Sequence, residues 1–340
     1  MSLRVIEDGS MLRQVRDELI AAFRSSGAIP MRIRVGYPGG RKNVEALWSE
    51  DLGLWFAWQY IESSRYWNSF GTARPHSGTV PILCEINFPI QGVNRQVSGA
   101  VATDGTGQVV LLHRGRIGGG KAGAGRDLFW SNFDGSSDWV ADGDRPARMA
   151  VVAHLQSPRL LRQIQFFVHE VDRIKDLARS RVIPDELPSR PLIADSGSDE
   201  FQFQQLGDEF WGDRRYTLKQ RIEAKCDHGL IVKALSENLV SLGYTVGKDR
   251  ERDLYVRSAE KTTSLFEVKP CADRDSLFRA IGQLLVYRDG MPGQPQPFLV
   301  APDDLDPRPR ELLKRLAINV IGFQWRDGIP VFPTIRDWKF

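Results

Sequence analysis

Three side chains in the carboxy-terminal third have the types and spacing that phosphate chemistry requires. Asp253 opens the segment Arg252-Asp253-Leu254-Tyr255-Val256, and Glu267 and Lys269 stand two apart in Leu265-Phe266-Glu267-Val268-Lys269-Pro270. Residues two apart on a strand share a face. Glu267 and Lys269 therefore project together, while Phe266 and Val268 face the opposite side. If the two segments pair as strands, Asp253 sits beside Glu267. Two carboxylates suit Mg²⁺, a hard ion that prefers oxygen ligands and keeps several waters. Such an ion polarises a phosphate and lowers the pKa of a bound water. A neighbouring lysine orients that water or balances charge in the transition state. A bare Glu-x-Lys also occurs as a charged pair on a wet strand face. Here the aspartate precedes it at a strand start, the tripeptide ends an apolar strand, and a helix follows.

The elements that must position these groups can be read from periodicity. Tyr216 to Leu242 has a helical pattern with a break expected near His228-Gly229, and Gly243 ends it. Strands are predicted over Tyr244–Gly247, Leu254–Arg257, Ser264–Val268, Pro297–Ala301 and Asn319–Gln324. Helices are predicted over Asp275–Arg288 and Arg308–Leu316, with Asp273 and Asp275 placed to cap the first of these. Helices on both faces of a mixed central sheet make an α/β layer architecture.

At this point the chain resembles the PD-(D/E)XK nuclease superfamily, also called restriction-endonuclease-like, over about residues 226–325. Three parts carry the resemblance: Arg252-Asp253, Glu267-Val268-Lys269, and the helix segment Arg279-Ala280-Ile281-Gly282-Gln283-Leu284-Leu285-Val286-Tyr287. The last is similar to the Ala-Ile-Gly-Gln-Leu-x-x-Tyr helix of a subset of these nucleases. The resemblance implies Mg²⁺-dependent DNA cleavage, with Mn²⁺ able to substitute, in restriction, repair or recombination. It makes Asp253 and Glu267 metal ligands, Lys269 catalytic, and Gln283 a group that orients the lysine or the phosphate. Many members also carry an acid on the first helix, which points to Glu237, and a histidine at its start, which points to His228. Arg252 stands where the signature has proline. Without the resemblance, Gln283 reads equally as a glutamine satisfying a buried backbone group.

The amino-terminal half reads as a mostly β, α+β domain over residues 1–157. A helix is expected over Glu7–Ser26. Strands are expected over Met31–Tyr37, Leu52–Tyr60, Val80–Ile90, Val97–Ala102 and Gln108–His113. Residues 158–213 read as a helix, Pro158–Ser180, followed by an interdomain linker over Arg181–Gln202. Residues 214–340 form the nuclease-like domain. Residues 113–126 hold six glycines with Arg114, Arg116, Lys121 and Arg126. These are candidate contacts to nucleic-acid phosphates. A solvated hairpin loop or a small-molecule phosphate site are the other readings. Lys121 is followed by alanine, so the segment is not a P-loop. Trp48, Trp55, Trp58, Tyr60, Tyr66, Trp67 and Phe70 fall close together, as core packing or as a platform on which a base stacks.

Composition sets the outer bounds. At 340 residues the chain has room for two domains, and 41% apolar content suffices for their cores. A net charge of +3 is too small to indicate nucleic acid by itself, so local clusters must carry that argument. No apolar run approaches the roughly 18 residues of a membrane span. The amino terminus carries acids and no apolar segment, so the expectation is a cytoplasmic protein without a membrane partner. Cys84, Cys226 and Cys271 are too far apart for a zinc knuckle or a disulfide framework. The combined expectation is an amino-terminal domain that recognises DNA and a carboxy-terminal domain that cuts it, as in restriction or phage defence. A homodimer would serve double-strand cleavage. A repair, recombination or RNA nuclease, and a catalytically silent binding module, are the rival expectations.

Overall fold

The computed structural model describes residues 3–37, 39–61, 64–75, 78–104, 107–117, 125–180, 213–249, 252–258, 261–291 and 293–340. Strand β1 (Arg4–Val5) leads into helix α1 (Gly9–Ser25). The Asp8 carboxylate accepts from the Met11 amide at 2.9 Å and caps the first turn. The stripe Leu12, Val15, Leu19, Ile20 and Phe23 is buried, as its spacing predicts. Strands β2 (Ile29–Tyr37), β3 (Gly40–Ser49), β4 (Leu54–Ile61) and β5 (Arg65–Gly71) then form an antiparallel meander. Short strands border it. β6 (Thr79–Pro81) pairs with β2, while β7 (Cys84–Glu85) and β8 (Phe88–Pro89) pair with β5. The single strand expected over residues 80–90 is thus three pieces in two places.

β9 (Gly99–Thr103), β10 (Val109–His113), β11 (Ser137–Asp142) and β12 (Arg145–His154) close with β1 into a barrel of order β1-β11-β12-β10-β9. Helix α2 (Arg126–Asn132) precedes β11, and α3 (Leu160–Ser180) follows β12. β3, β5, β11 and β12 go beyond the sequence expectations. β5 buries Asn68 and Ser69, whose side chains donate to the Ile86 and Ala57 carbonyls, so it lacks a clean apolar pattern. β3 opens on Arg41-Lys42-Asn43, which hides its alternation. The aromatic run resolves into core. Trp48, Trp55 and Trp67 pack on one side of the meander, and Phe56, Tyr66 and Phe70 pack on the other with Phe23 and Phe88. Tyr60 alone of the seven stays exposed.

The carboxy-terminal part begins with the 29-residue helix α4 (Asp213–Ser241). Then come β13 (Thr245–Gly247), β14 (Leu254–Ser258), β15 (Lys261–Val268), α5 (Arg274–Asp289), β16 (Gln296–Pro302), α6 (Pro307–Arg315), β17 (Asn319–Arg326) and β18 (Ile329–Val331). The sheet order is β13-β14-β15-β16-β17-β18. β13, β14 and β15 are antiparallel, β15 to β17 run parallel across the two crossover helices, and β18 returns antiparallel. Ile231, Leu235 and Leu239 of α4 cover one face with Phe266, Val268 and Phe298. Leu277, Ala280 and Leu284 of α5 and Leu313 of α6 cover the other with Leu265 and Leu299. A mixed sheet with helices on both faces is the layered α/β arrangement that the pattern predicts.

α4 departs from expectation in one respect: it runs through His228-Gly229 without a break. Its first half packs Ile222 and Cys226 against the barrel, and its second half packs on the sheet. The change of partner, not a change of backbone, interrupts the apolar periodicity. Gly243, at φ +89°, takes the left-handed turn that ends this region. The linker expected over Arg181–Gln202 lies outside the described residues. Among the described residues no helix is long and apolar enough to cross a membrane.

Candidate active site

β14 and β15 bring the acidic residues together. Leu254 pairs with Phe266, so one register step further places Asp253 opposite Glu267. Asp253 is fixed there by its backbone partner. Its Oδ2 accepts from the Val268 amide at 2.8 Å. Glu267 and Lys269 emerge on the side where Leu265 meets α5, as alternation requires. The Lys269 ammonium donates to Glu267 Oε1 at 2.5 Å and to Gln283 Oε1 at 3.0 Å. Lys269 is itself anchored, its amide donating to the Val300 carbonyl at 2.8 Å. Gln283 reaches it from α5. That helix is capped by Asp273, whose Oδ1 accepts from the Ser276 amide at 3.0 Å. The capping role expected of Asp273 is the one the structure shows.

His228 enters from the opposite layer. Its Nε2 lies 3.2 Å from Asp253 Oδ1. Burial lowers its pKa, against the pull of Asp253. His228 Nε2 flanks the free oxygen of Asp253 from the α4 side. One oxygen of Asp253 is held by the β15 backbone, and the other faces His228 of α4.

Glu267 is the electrostatically stressed member. It is 2% exposed. Burial first, and the Asp253 charge second, push its carboxyl up to about 7, against the opposing pull of Lys269. Two carboxylates that raise each other's energy, backed by one ammonium, form a cluster whose charge a further cation would balance. The oxygen donors fit a hard divalent ion, with Asp253 and Glu267 as the residues to hold it. Among the described residues no group of three or more His, Cys, Asp and Glu side chains has metal-holding geometry.

Glu237 does not join this cluster. It is exposed, pairs with Lys233 at 3.9 Å, and lies nine residues beyond His228 on α4, roughly 13 Å along the axis. The acid on the first helix suggested by the resemblance is therefore a solvated surface residue. Sequence reasoning did not foresee Asp227. Buried beside His228, its carboxylate accepts from Arg159 at 2.7 Å and from Gln163 at 2.7 Å. It ties α4 to α3 next to the site.

The basic segment of the amino-terminal half divides. Arg114 is buried and donates to both oxygens of Asp142, at 2.5 and 2.9 Å. That ion pair is internal, so the Arg114 guanidinium already has a carboxylate partner. Arg116 and Arg126 are exposed, and Lys121 lies outside the described residues. Comparison with known proteins returned no matching family model, no matching curated protein and no matching solved structure.

Proposed function

We propose that the chain is a Mg²⁺-dependent DNA endonuclease of the restriction or phage-defence type, with a restriction-endonuclease-like carboxy-terminal domain. The convergence of Asp253, Glu267, Lys269 and Gln283 at one end of β14 and β15, against the middle of α5, carries this reading. The helix-covered mixed sheet supports it as the kind of scaffold such a site uses. Asp253 and Glu267 would hold the ion, and Mn²⁺ suits the same oxygen set. The metal supplies Lewis-acid polarisation of the phosphate and a water of lowered pKa. The chain's own groups do the rest. The Val268 amide holds the Asp253 carboxylate in one orientation, with His228 beside its other oxygen. Gln283 fixes the Lys269 ammonium, which faces the scissile group and offsets developing negative charge.

The amino-terminal domain then serves as the part that recognises DNA. One centre cuts one strand, so double-strand cleavage requires two copies acting together, which sedimentation on DNA would reveal. The reading is tested with supercoiled plasmid, branched DNA and RNA, each incubated with Mg²⁺, with Mn²⁺ and with a chelator. Plasmid nicking that requires the metal is the expected result. Cleavage of RNA alone, or of branched DNA alone, would transfer the activity to a different nucleic-acid process. Metal-independent nicking would remove the assignment.

A further inference from the structure

A groove of about 350 Å³ lies on the barrel, away from the carboxylate cluster. Arg95, Arg114, Arg116, Arg126, Arg145 and Arg148 line it against a single carboxylate, Asp142. That carboxylate is already balanced, since Arg114 engages both its oxygens and Arg95 approaches Oδ2 at 3.3 Å. Arg95 also pairs with Asp144. Arg148 donates to Ser137 Oγ at 3.1 Å and lies 4.5 Å over the Trp130 ring. Arg116, Arg126 and Arg145 are exposed and have no ion pair or hydrogen bond from their side chains among the described residues. The groove thus presents a positive excess that the fold does not use.

It also presents a ring. Trp139 lines the groove and is 63% exposed, directly across the β11–β12 ladder from Arg148. An indole left this far in water gains by stacking on another flat apolar face. Guanidinium forks match phosphate oxygens bidentately. Several forks along one groove beside an exposed indole fit a chain of repeating anions that carries flat rings. A duplex hides its base faces inside the stack, whereas a single strand offers them.

We propose that this groove binds a single-stranded nucleic-acid segment, with phosphates on Arg116, Arg126 and Arg145 and one base stacked on Trp139. The proposal deepens the DNA-recognition role given to the amino-terminal domain. It does not depend on the catalytic assignment.

The test uses the full chain carrying Lys269→Ala, in chelator, so that binding is read without cleavage. Fluorescence anisotropy follows a labelled oligothymidylate and a duplex of equal length across a salt series. The single strand binds more tightly. Reversal of Arg126 and Arg145 to Glu weakens binding and lowers the slope of log affinity against log salt by about 0.7 for each phosphate that is no longer neutralised. The Arg126→Gln/Arg145→Gln protein, milder on the fold, shows the same change of slope. Trp139→Ala lowers affinity roughly 5- to 150-fold with the slope unchanged, and Trp139→Phe restores most of it. Tighter duplex binding would overturn the proposal. So would an unaffected Trp139→Ala protein, an equal loss of heparin binding in that variant, or a preference for vesicles of acidic phospholipid. Binding that behaves as predicted in a protein whose parent fails to cleave would sink only the nuclease reading.

Discussion

The Glu267 carboxyl is held where its charge is unfavourable, and that has a measurable sign. Its pKa rises from 4.5 to about 7 on folding. The folded state therefore keeps a proton that the unfolded chain has released. Stability on this account is greatest below pH 4.5 and is lost as pH climbs through about 7. The shift corresponds to on the order of 3 kcal/mol at most. Glu267→Gln, measured by urea unfolding in chelator, is expected to be more stable than the parent at about pH 8 and equal to it near pH 4. Equal stability at the higher pH would mean that Lys269 already neutralises the site. The pairing of Asp253 with Glu267 was legible in the sequence because strand alternation and register are simple rules. Contacts between layers were not legible from spacing, and the Gln283–Lys269 contact was foreseen only through the resemblance. Glu237 and His228 stand on the same helix, and only the approach of α4 to the sheet decides which of them meets Asp253.

At the scale of elements, most helices and strands were legible from apolar spacing and from caps such as Asp273 and Gly243. Two of the exceptions have a physical cause in their packing. A segment that serves two partners, or buries polar groups, loses its period. α4 reads as broken at His228-Gly229 because its two halves face different layers, and β5 escapes notice because Asn68 and Ser69 are buried. Gly229 has its own reason to lack a side chain. A Cβ there would crowd the Phe166 ring of α3, against Cζ. Gly229→Ala is therefore expected to destabilise by about 1–3 kcal/mol and to displace His228 from Asp253. Gly282 on α5 is the contrast, with nothing within 4 Å of its Cβ position. Gly282→Ala is expected to stabilise by about 1 kcal/mol. Thermal unfolding of the two variants checks both signs, and matching effects would contradict the packing argument.

For the molecule as a whole, the two parts are joined by more than a connecting segment. Arg159, just before α3, grips Asp227 on α4 and lies 4.4 Å over the Trp325 ring of β17. The barrel, α3, α4 and the carboxy-terminal sheet thus share one junction beside the candidate site. Arg159→Ala leaves the buried Asp227 without its cation, at a cost of about 3–5 kcal/mol. Denaturant unfolding followed by fluorescence and by circular dichroism is expected to shift by that amount. A change below about 1 kcal/mol would show the junction to be unimportant. None of this coupling could be read from the sequence, since Arg159 and Asp227 are 68 residues apart and no pattern marks them. The account as a whole stands on Lys269 acting beside two metal-binding carboxylates. Its most direct test compares the first-order rate of Mg²⁺-dependent nicking of supercoiled plasmid by the parent protein and by Lys269→Ala, with folding checked by circular dichroism. The account predicts a folded variant slower by about 10²–10³-fold or more. A folded Lys269→Ala protein that nicks at the parental rate would contradict it.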